Sequence, residues 1–252
     1  TVTVNSGVAT IGTQSTHEVT ITDNDSANIE FAASSSSVAE DDGAHSVTVN
    51  LNIAAGVSLA SSAVINVNDA GTGIATGGGT DYTLTTTQVT FAAGSGNGAT
   101  QTVTITQGSD VLVEGSEDAD LTVTVNSGVA TIGTQSTHEV TITDSDSATV
   151  EFASGGSSVA EDNGAHSVTV NLNIAAGVTL VNNAVINVND AGTGTATGGG
   201  TDYTLTTTQV TFAGGSGNGA TQTVTFTQGS DVLVEGSEDA DLTVTVNSGA
   251  AT

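Results

Sequence analysis

In 252 residues there is no lysine, arginine, cysteine, methionine or tryptophan, and aromatic side chains make up 3% of the chain. Each gap excludes something. Without a basic side chain no surface replaces the counterions of a phosphate backbone, so nucleic acid is excluded as a partner, and docking on an anionic membrane is disfavoured for the same reason. Without cysteine there is no disulfide framework and no thiol chemistry, so stability must come from packing, from bound metal or from both. No apolar run approaches the roughly 20 residues of a membrane span, and no basic-then-apolar leader is visible. A chain with no methionine is read as a mature fragment or a window on something longer.

What remains is acidic. Twenty-seven Asp and Glu against four His give a formal charge of -27, so the natural partners are cations. Acidity with few apolar residues would indicate disorder, but 36% of this chain is hydrophobic, and much of that follows a strict two-residue period.

Displaced by 121 residues the chain matches itself with only 14 of 121 pairs different, and residues 243–252 begin a third copy. That period is too long for a solenoid, so each unit is expected to be a whole domain in an array. Within a unit, seven segments alternate apolar residues with Thr, Asn or Ser: 28–31, 46–53, 63–68, 88–91, 101–106, 121–125 and 138–143. Alternation puts Val, Ile and Phe on one face, as a half-buried strand requires. Between them lie Gly-rich turns such as 71–82 and 92–100, and no segment shows a 3.6-residue period. Seven strands and almost no helix predict an all-β, two-sheet sandwich. Taken in strand order, 27–146 is a complete repeat, 1–26 supplies the last two strands of a preceding one, and 147–252 is a repeat lacking its final strand. Incomplete sandwiches carry open edges. Residues 11–25 have the sequence to complete the last repeat, so head-to-tail strand donation between adjacent chains is an alternative to one long covalent array.

Many acids fall at strand ends: Glu40, Asp81, Asp110, Glu114, Glu117, Asp144 and Asp146. Loops that follow alternate strands gather at one end of a sandwich, where these seven would converge. Two like charges about 4 Å apart repel by roughly 4 kcal/mol at an effective dielectric near 20. A hard divalent cation relieves this, and Ca2+ takes about 6 to 8 oxygen ligands from flexible loops. A mere solubility surface would scatter its acids, as Glu18, Glu30, Asp69 and Asp120 are scattered.

The motifs SVAEDDG (38–43 with its preceding Ser), GTDYTL (79–84), VTFAAGSGNGATQTVTI (89–105), SDVLVEGSED (109–118) and ATIGTQSTHEVTITDSD (130–146) together resemble the Calx-beta domain, and the resemblance covers the whole chain. It implies tandem seven-stranded immunoglobulin-like antiparallel sandwiches with calcium at one end, beside the linker to the next domain. It implies the seven ligands above in the complete repeat, then Glu161, Asp202, Asp231, Glu235 and Glu238 in the following one, with Asp23 and Asp25 belonging to a preceding one. Two departures, QGSD before the acidic loop and only DSD or DND at the close, imply one or two ions per domain at affinities of about 0.1 to 1 mM.

Other constellations carry less. Glu114 and Glu117 have the residue types of a glycosidase pair, but nothing supplies a cleft and aromatics are few, so no enzyme is read here. His17, His45, His138 and His166 sit at strand starts with spacings unlike a zinc site and are expected to face solvent. Thr-rich segments such as 82–90 are read as ordinary exposed sheet faces. Dense Ser and Thr permit O-glycosylation, and Asn24 lies in an Asn-Asp-Ser sequon.

The expected function is structural: a segment of a secreted or cell-surface stalk, adhesin or extracellular fibre, with neighbouring like repeats as partners and calcium at the junctions. The alternatives are a calcium-sensing or calcium-buffering module and a fibre subunit that polymerises by strand donation. The missing basic residues also remove every trypsin-type cleavage site, so prolonged digestion with a trypsin-like protease should leave a single intact band on denaturing electrophoresis.

Overall fold

Val, Ile or Leu alternating with Thr and Asn favours an extended backbone with one apolar face, and two such faces must cover each other. The computed structural model describes residues 1–230, 232, 234–249 and 251, and it shows that solution twice. In the first repeat the strands are β1 (Ala27–Phe31), β2 (Ser35–Ala39), β3 (Ala44–Ile53), β4 (Ala63–Asp69), β5 (Tyr82–Leu84), β6 (Gln88–Phe91), β7 (Thr100–Gln107), β8 (Leu112–Val113), β9 (Glu117–Ser127), β10 (Thr131–Ile132) and β11 (Thr137–Thr143). One sheet runs β10-β1-β3-β7-β5 and the other β2-β11-β9-β4-β6. All pairings are antiparallel except at two edges, where β10 lies parallel to β1 and β2 parallel to β11. The inner faces meet in a core that includes Ile29, Phe31, Val49, Leu51, Ile65, Phe91, Ile105, Leu121 and Val140.

All seven alternating segments are strands. The four additional strands lack the alternation: β2 is three serines followed by Val-Ala, and β5, β8 and β10 are two or three residues long. They form because a neighbouring ladder offers partners. The expectation of almost no helix also holds, with two three-residue 3-10 turns at Glu40–Asp42 and Glu161–Asn163.

The second repeat is built from β12 (Ala148–Phe152), β13 (Ala165–Ile174), β14 (Thr179–Leu180), β15 (Ala184–Asp190), β16 (Tyr203–Leu205), β17 (Gln209–Phe212), β18 (Thr221–Gln228) and β19 (Leu242–Ser248). Its sheets are β12-β13-β18-β16 and β17-β15-β19. Among the described residues it has no counterpart of β2 or β11. Its core takes in one residue from the first repeat, Val113, whose strand β8 pairs with β14.

Residues 1–26 contain no strand, although residues 1–23 repeat the sequence of 122–144 without a difference. At 122–144 the ladders of β4, β2 and β1 are there to receive it. At 1–26 no such ladder is adjacent, and Val19 and Ile21 are 73% and 92% exposed where their duplicates Val140 and Ile142 are 0% and 5%. The histidines divide in the same way. His138 is buried rather than solvent-facing: its Nε2 and the Nε2 of His45 each lie 2.8 Å from Ser36 Oγ, and its Nδ1 lies 2.8 Å from the carbonyl of Ala33. The duplicate pair sets up a comparison. Ile142→Ala should cost about 2–5 kcal/mol of stability, whereas Ile21→Ala should leave the chemical denaturation midpoint unchanged.

Candidate metal centre

Strand register alone brings the acids together. Because β2 lies parallel on β11 with Val38 opposite Ile142 and Ala39 opposite Thr143, the next residues, Glu40 and Asp144, leave the sheet side by side. Ile142 is also opposite Glu117, which opens β9. On the other sheet, Tyr82 at the start of β5 faces Gln107 at the end of β7, so Asp81 precedes the crossing and Asp110 follows it. The crossing needs glycine: a Cβ on Gly108 would sit 2.2 Å from the carbonyl oxygen of Thr80. The Gly108 amide instead donates to the Asp81 carbonyl at 2.8 Å.

The seven carboxylates expected in the complete repeat all meet here. Glu40, Asp144 and Asp146 present oxygens within 4.8 Å of one another, as do Glu40, Asp110 and Glu114, and Asp81, Glu114 and Glu117. Glu40 joins the first two trios and Glu114 the last two. Around them a cavity of about 10 Å³ is lined by Glu40, Asp81, Gly108, Glu114, Gly115, Glu117, Ile142 and Asp144, a volume on the scale of a single water or ion. Backbone amides hold several of the acids in place. Leu112 N donates to Asp110 at 2.8 Å, Glu114 N to Asp144 at 2.7 Å and Asp146 N to Asp144 at 2.7 Å, while the Ser145 hydroxyl donates to Glu40 at 3.0 Å. Every donor atom offered inward is oxygen, the ligand set of a hard cation and not of zinc or copper.

Crowding shows in the titration. Burial pushes the Glu117 carboxyl up to about 7, helped by its hydrogen bond with Asp81 and by the charges of Asp81, Glu114 and Asp110. Burial also raises Glu114, with Asp110 and Asp81 adding to it, and raises Glu40 against the lowering effect of the Ser145 bond. Asp146 is raised by desolvation and by Asp144. No internal cation relieves any of this, so a proton or an external cation must.

The second repeat assembles less. Asp202, Glu235 and Glu238 lie within 4.8 Å of one another, matching Asp81, Glu114 and Glu117. Glu161 is exposed, where its counterpart Glu40 is buried, because no β2-β11 edge forms to carry it inward. In place of the small cavity there is a cleft of about 500 Å³ whose lining includes Val159, Glu161, Val168, Phe226 and Leu242. Asp231 lies outside the described residues. Asp23 and Asp25 are exposed and join no acidic group among the described residues; the Asp25 amide donates to Asp23 at 3.1 Å. A further trio escaped the sequence reading: Asp118, Asp120 and Glu139 also present oxygens within 4.8 Å. Glu139 is opposite Asp120 across β11 and β9, a meeting that only the strand register reveals.

The family model of the Calx-beta domain matches residues 22–146 and again 143–252. Solved structures that are similar include three of Calx domains. A crystal structure of CBD12 from CALX1.2 is 17% identical, with 80% of this chain and 75% of that one covered at a TM-score of 0.39. The calcium binding domain CBD12 of CALX1.1 is 18% identical, with 86% and 80% covered at 0.40. The apo form of the Calx CBD1 domain is 20% identical, with 48% and 98% covered at 0.39. No curated protein matches the chain.

Carboxyls that bind protons more tightly in the folded state contribute stability that is complete below about pH 4.5 and is lost as pH rises through about 7. His45, lowered by burial and by His138, works in the opposite direction in part of that window. In a chelator, Glu117→Gln should therefore raise the thermal midpoint of the first repeat at pH 7.5 relative to wild type, and the advantage should shrink as the melts are repeated toward pH 4.5.

Proposed function

This chain belongs to the Calx-beta domain family, whose domains are calcium-binding modules, and we propose that it is a structural segment of an extended array in which calcium stiffens the joint between successive repeats. The array is a secreted or cell-surface stalk, adhesin or extracellular fibre, and its partners are neighbouring like repeats. One observation carries the reading. The loop from Asp110 to Glu117 does two jobs at once: Asp110, Glu114 and Glu117 belong to the acidic trios, while the backbone between them is β8, which pairs with β14 of the next repeat. A cation that neutralises those carboxylates fixes the strand that spans the joint.

Calcium would be held by Glu40, Asp81, Asp110, Glu114, Glu117, Asp144 and Asp146. The three overlapping trios fit one or two ions sharing Glu40 and Glu114. The ion supplies positive charge that the sequence nowhere provides. In the second repeat Asp202, Glu235 and Glu238 are the acids that meet among the described residues, so that repeat binds more weakly than the first. Near-identity of the repeats supports a mechanical role over a sensing one, since a stalk gains length from each copy. Absence of trypsin-type sites and of thiols suits an exposed, long-lived material.

Ion binding to the folded form alone stabilises by RT ln(1 + [Ca]/Kd), about 1.4 kcal/mol per site at tenfold excess. The thermal midpoint of the 252-residue chain should climb through a calcium titration and stay flat when sodium is added to equal ionic strength. Glu114→Gln, which removes the carboxylate common to two trios, should weaken the apparent affinity at least tenfold. A midpoint indifferent to calcium would reduce the acidic cluster to surface charge.

A further inference from the structure

Three Asn-Gly dipeptides stand in the chain, at 97–98, 163–164 and 218–219, and all three asparagines are exposed. The dipeptide has a chemistry of its own. Glycine puts no side chain beside its backbone nitrogen, so that nitrogen can reach Cγ of the preceding asparagine and close a five-membered ring. Whether it does so depends on how the two reacting groups are held.

At two of the sites both groups are clamped. Asn97 Oδ1 accepts from the Ile53 amide at 3.1 Å, and the Gly98 amide donates to the Leu51 carbonyl at 2.9 Å. Asn218 repeats the arrangement, with Ile174 N on its Oδ1 at 3.2 Å and Gly219 N on the Leu172 carbonyl at 3.0 Å. Electrophile and nucleophile are each tied to the adjacent strand, β3 or β13. The nitrogen keeps its proton, and the side chain cannot swing onto it.

Asn163 has neither tie. Its side chain has no hydrogen-bond partner among the described residues. It closes the 3-10 turn Glu161–Asn163, and Gly164 follows in the left-handed region at φ 75°. The Gly164 carbonyl accepts from the Gln228 amide at 3.0 Å, but among the described residues the Gly164 amide donates to no strand. A Cβ on Gly164 would meet nothing within 4 Å, so the space that ring closure needs is open. This geometry belongs to the repeat and not to a position near one end of it. In the first repeat Gly43 has φ 76° and ψ -117° against 75° and -116° at Gly164, Gln107 N holds the Gly43 carbonyl at 3.0 Å, and Asp42 is exposed as Asn163 is.

We propose that Asn163 is a site of spontaneous deamidation, the one Asn-Gly of the three that the fold leaves able to react. The Gly164 nitrogen loses its proton to solvent base and attacks Cγ of Asn163. A bond from that nitrogen to Cγ forms, the bond from Cγ to Nδ2 breaks, and ammonia leaves with a proton from water. Water then opens the ring. Addition at Cγ returns the ordinary backbone with an aspartate side chain, and addition at the main-chain carbonyl carbon gives isoaspartate, which carries an extra methylene in the backbone just before β13. The net change is amide and water to carboxylate and ammonium, with no oxidation or reduction. The aspartate product is Glu-Asp-Asp-Gly, the sequence the first repeat already has at 40–43. Deamidation therefore rewrites one repeat's turn as the other's and adds a carboxylate beside Glu161 and Asp162.

The test is to age the 252-residue chain at mildly alkaline pH, once in buffer and once in denaturant. A protease directed to aspartate cuts before Asp81, Asp162 and Asp202, which leaves the three dipeptides on separate peptides, and mass spectrometry follows the change from amide to acid in each. In buffer Asn163 should react at least tenfold faster than Asn97 or Asn218, at a rate that rises with pH. In denaturant, where the clamps are gone, the three rates should converge. Asn163→Asp supplies the aspartate product as a standard for ion exchange, and Asn163→Gln should abolish the acidic species that accumulates. Asn163 that stays intact in buffer overturns the proposal. So do equal rates at the three sites in buffer, and so does a tenfold spread that survives denaturant, which would assign the difference to neighbouring residues instead of to the hydrogen bonds.

Discussion

The insertion of β11 between β2 and β9 is the pairing on which the rest of the first repeat depends. It gives β2 a partner, and β2 has no alternation of its own to hold it in a sheet. It carries Glu40 inward and places Asp144 and Asp146 beside it. The second repeat shows a nearly identical sequence without that strand among the described residues. There the residues matching β2 form no strand, Glu161 stays in solvent, and Leu242 is partly uncovered where Leu121 is fully buried. One missing strand converts a cavity of about 10 Å³ into a cleft of about 500 Å³. Packing and the acidic site are therefore a single cooperative object.

Charge works against that object until something neutralises it. Four carboxyls of the first repeat are raised, all by burial first and by neighbouring acids next. A protein with Lys or Arg nearby would pair them internally and fix the fold regardless of the medium. This chain has none, so the medium sets the stability of its tightest corner.

The strands were legible wherever Val, Ile or Phe alternated with Thr or Asn, because that period is written into each segment independently. The seven converging carboxylates of the complete repeat were legible because acids at strand ends stand out against loops of Gly and Ser. What could not be read locally depended on register or on another repeat. β8 is two residues long and exists only because β14 lies beside it. His138 follows Thr137 at a strand start, which suggested an exposed face, but Ala33 and, from β2, Ser36 cover it. Asp118, Asp120 and Glu139 are unremarkable in sequence and meet only once β9 and β11 are in register. The expected strands at 1–26 illustrate the reverse case, in which a sequence able to pair finds no ladder.

That last feature makes residues 16–22 and β11 interchangeable parts. An acceptor edge has no side-chain means of telling seven identical residues apart, so what separates the two segments is the ladder each one finds beside it.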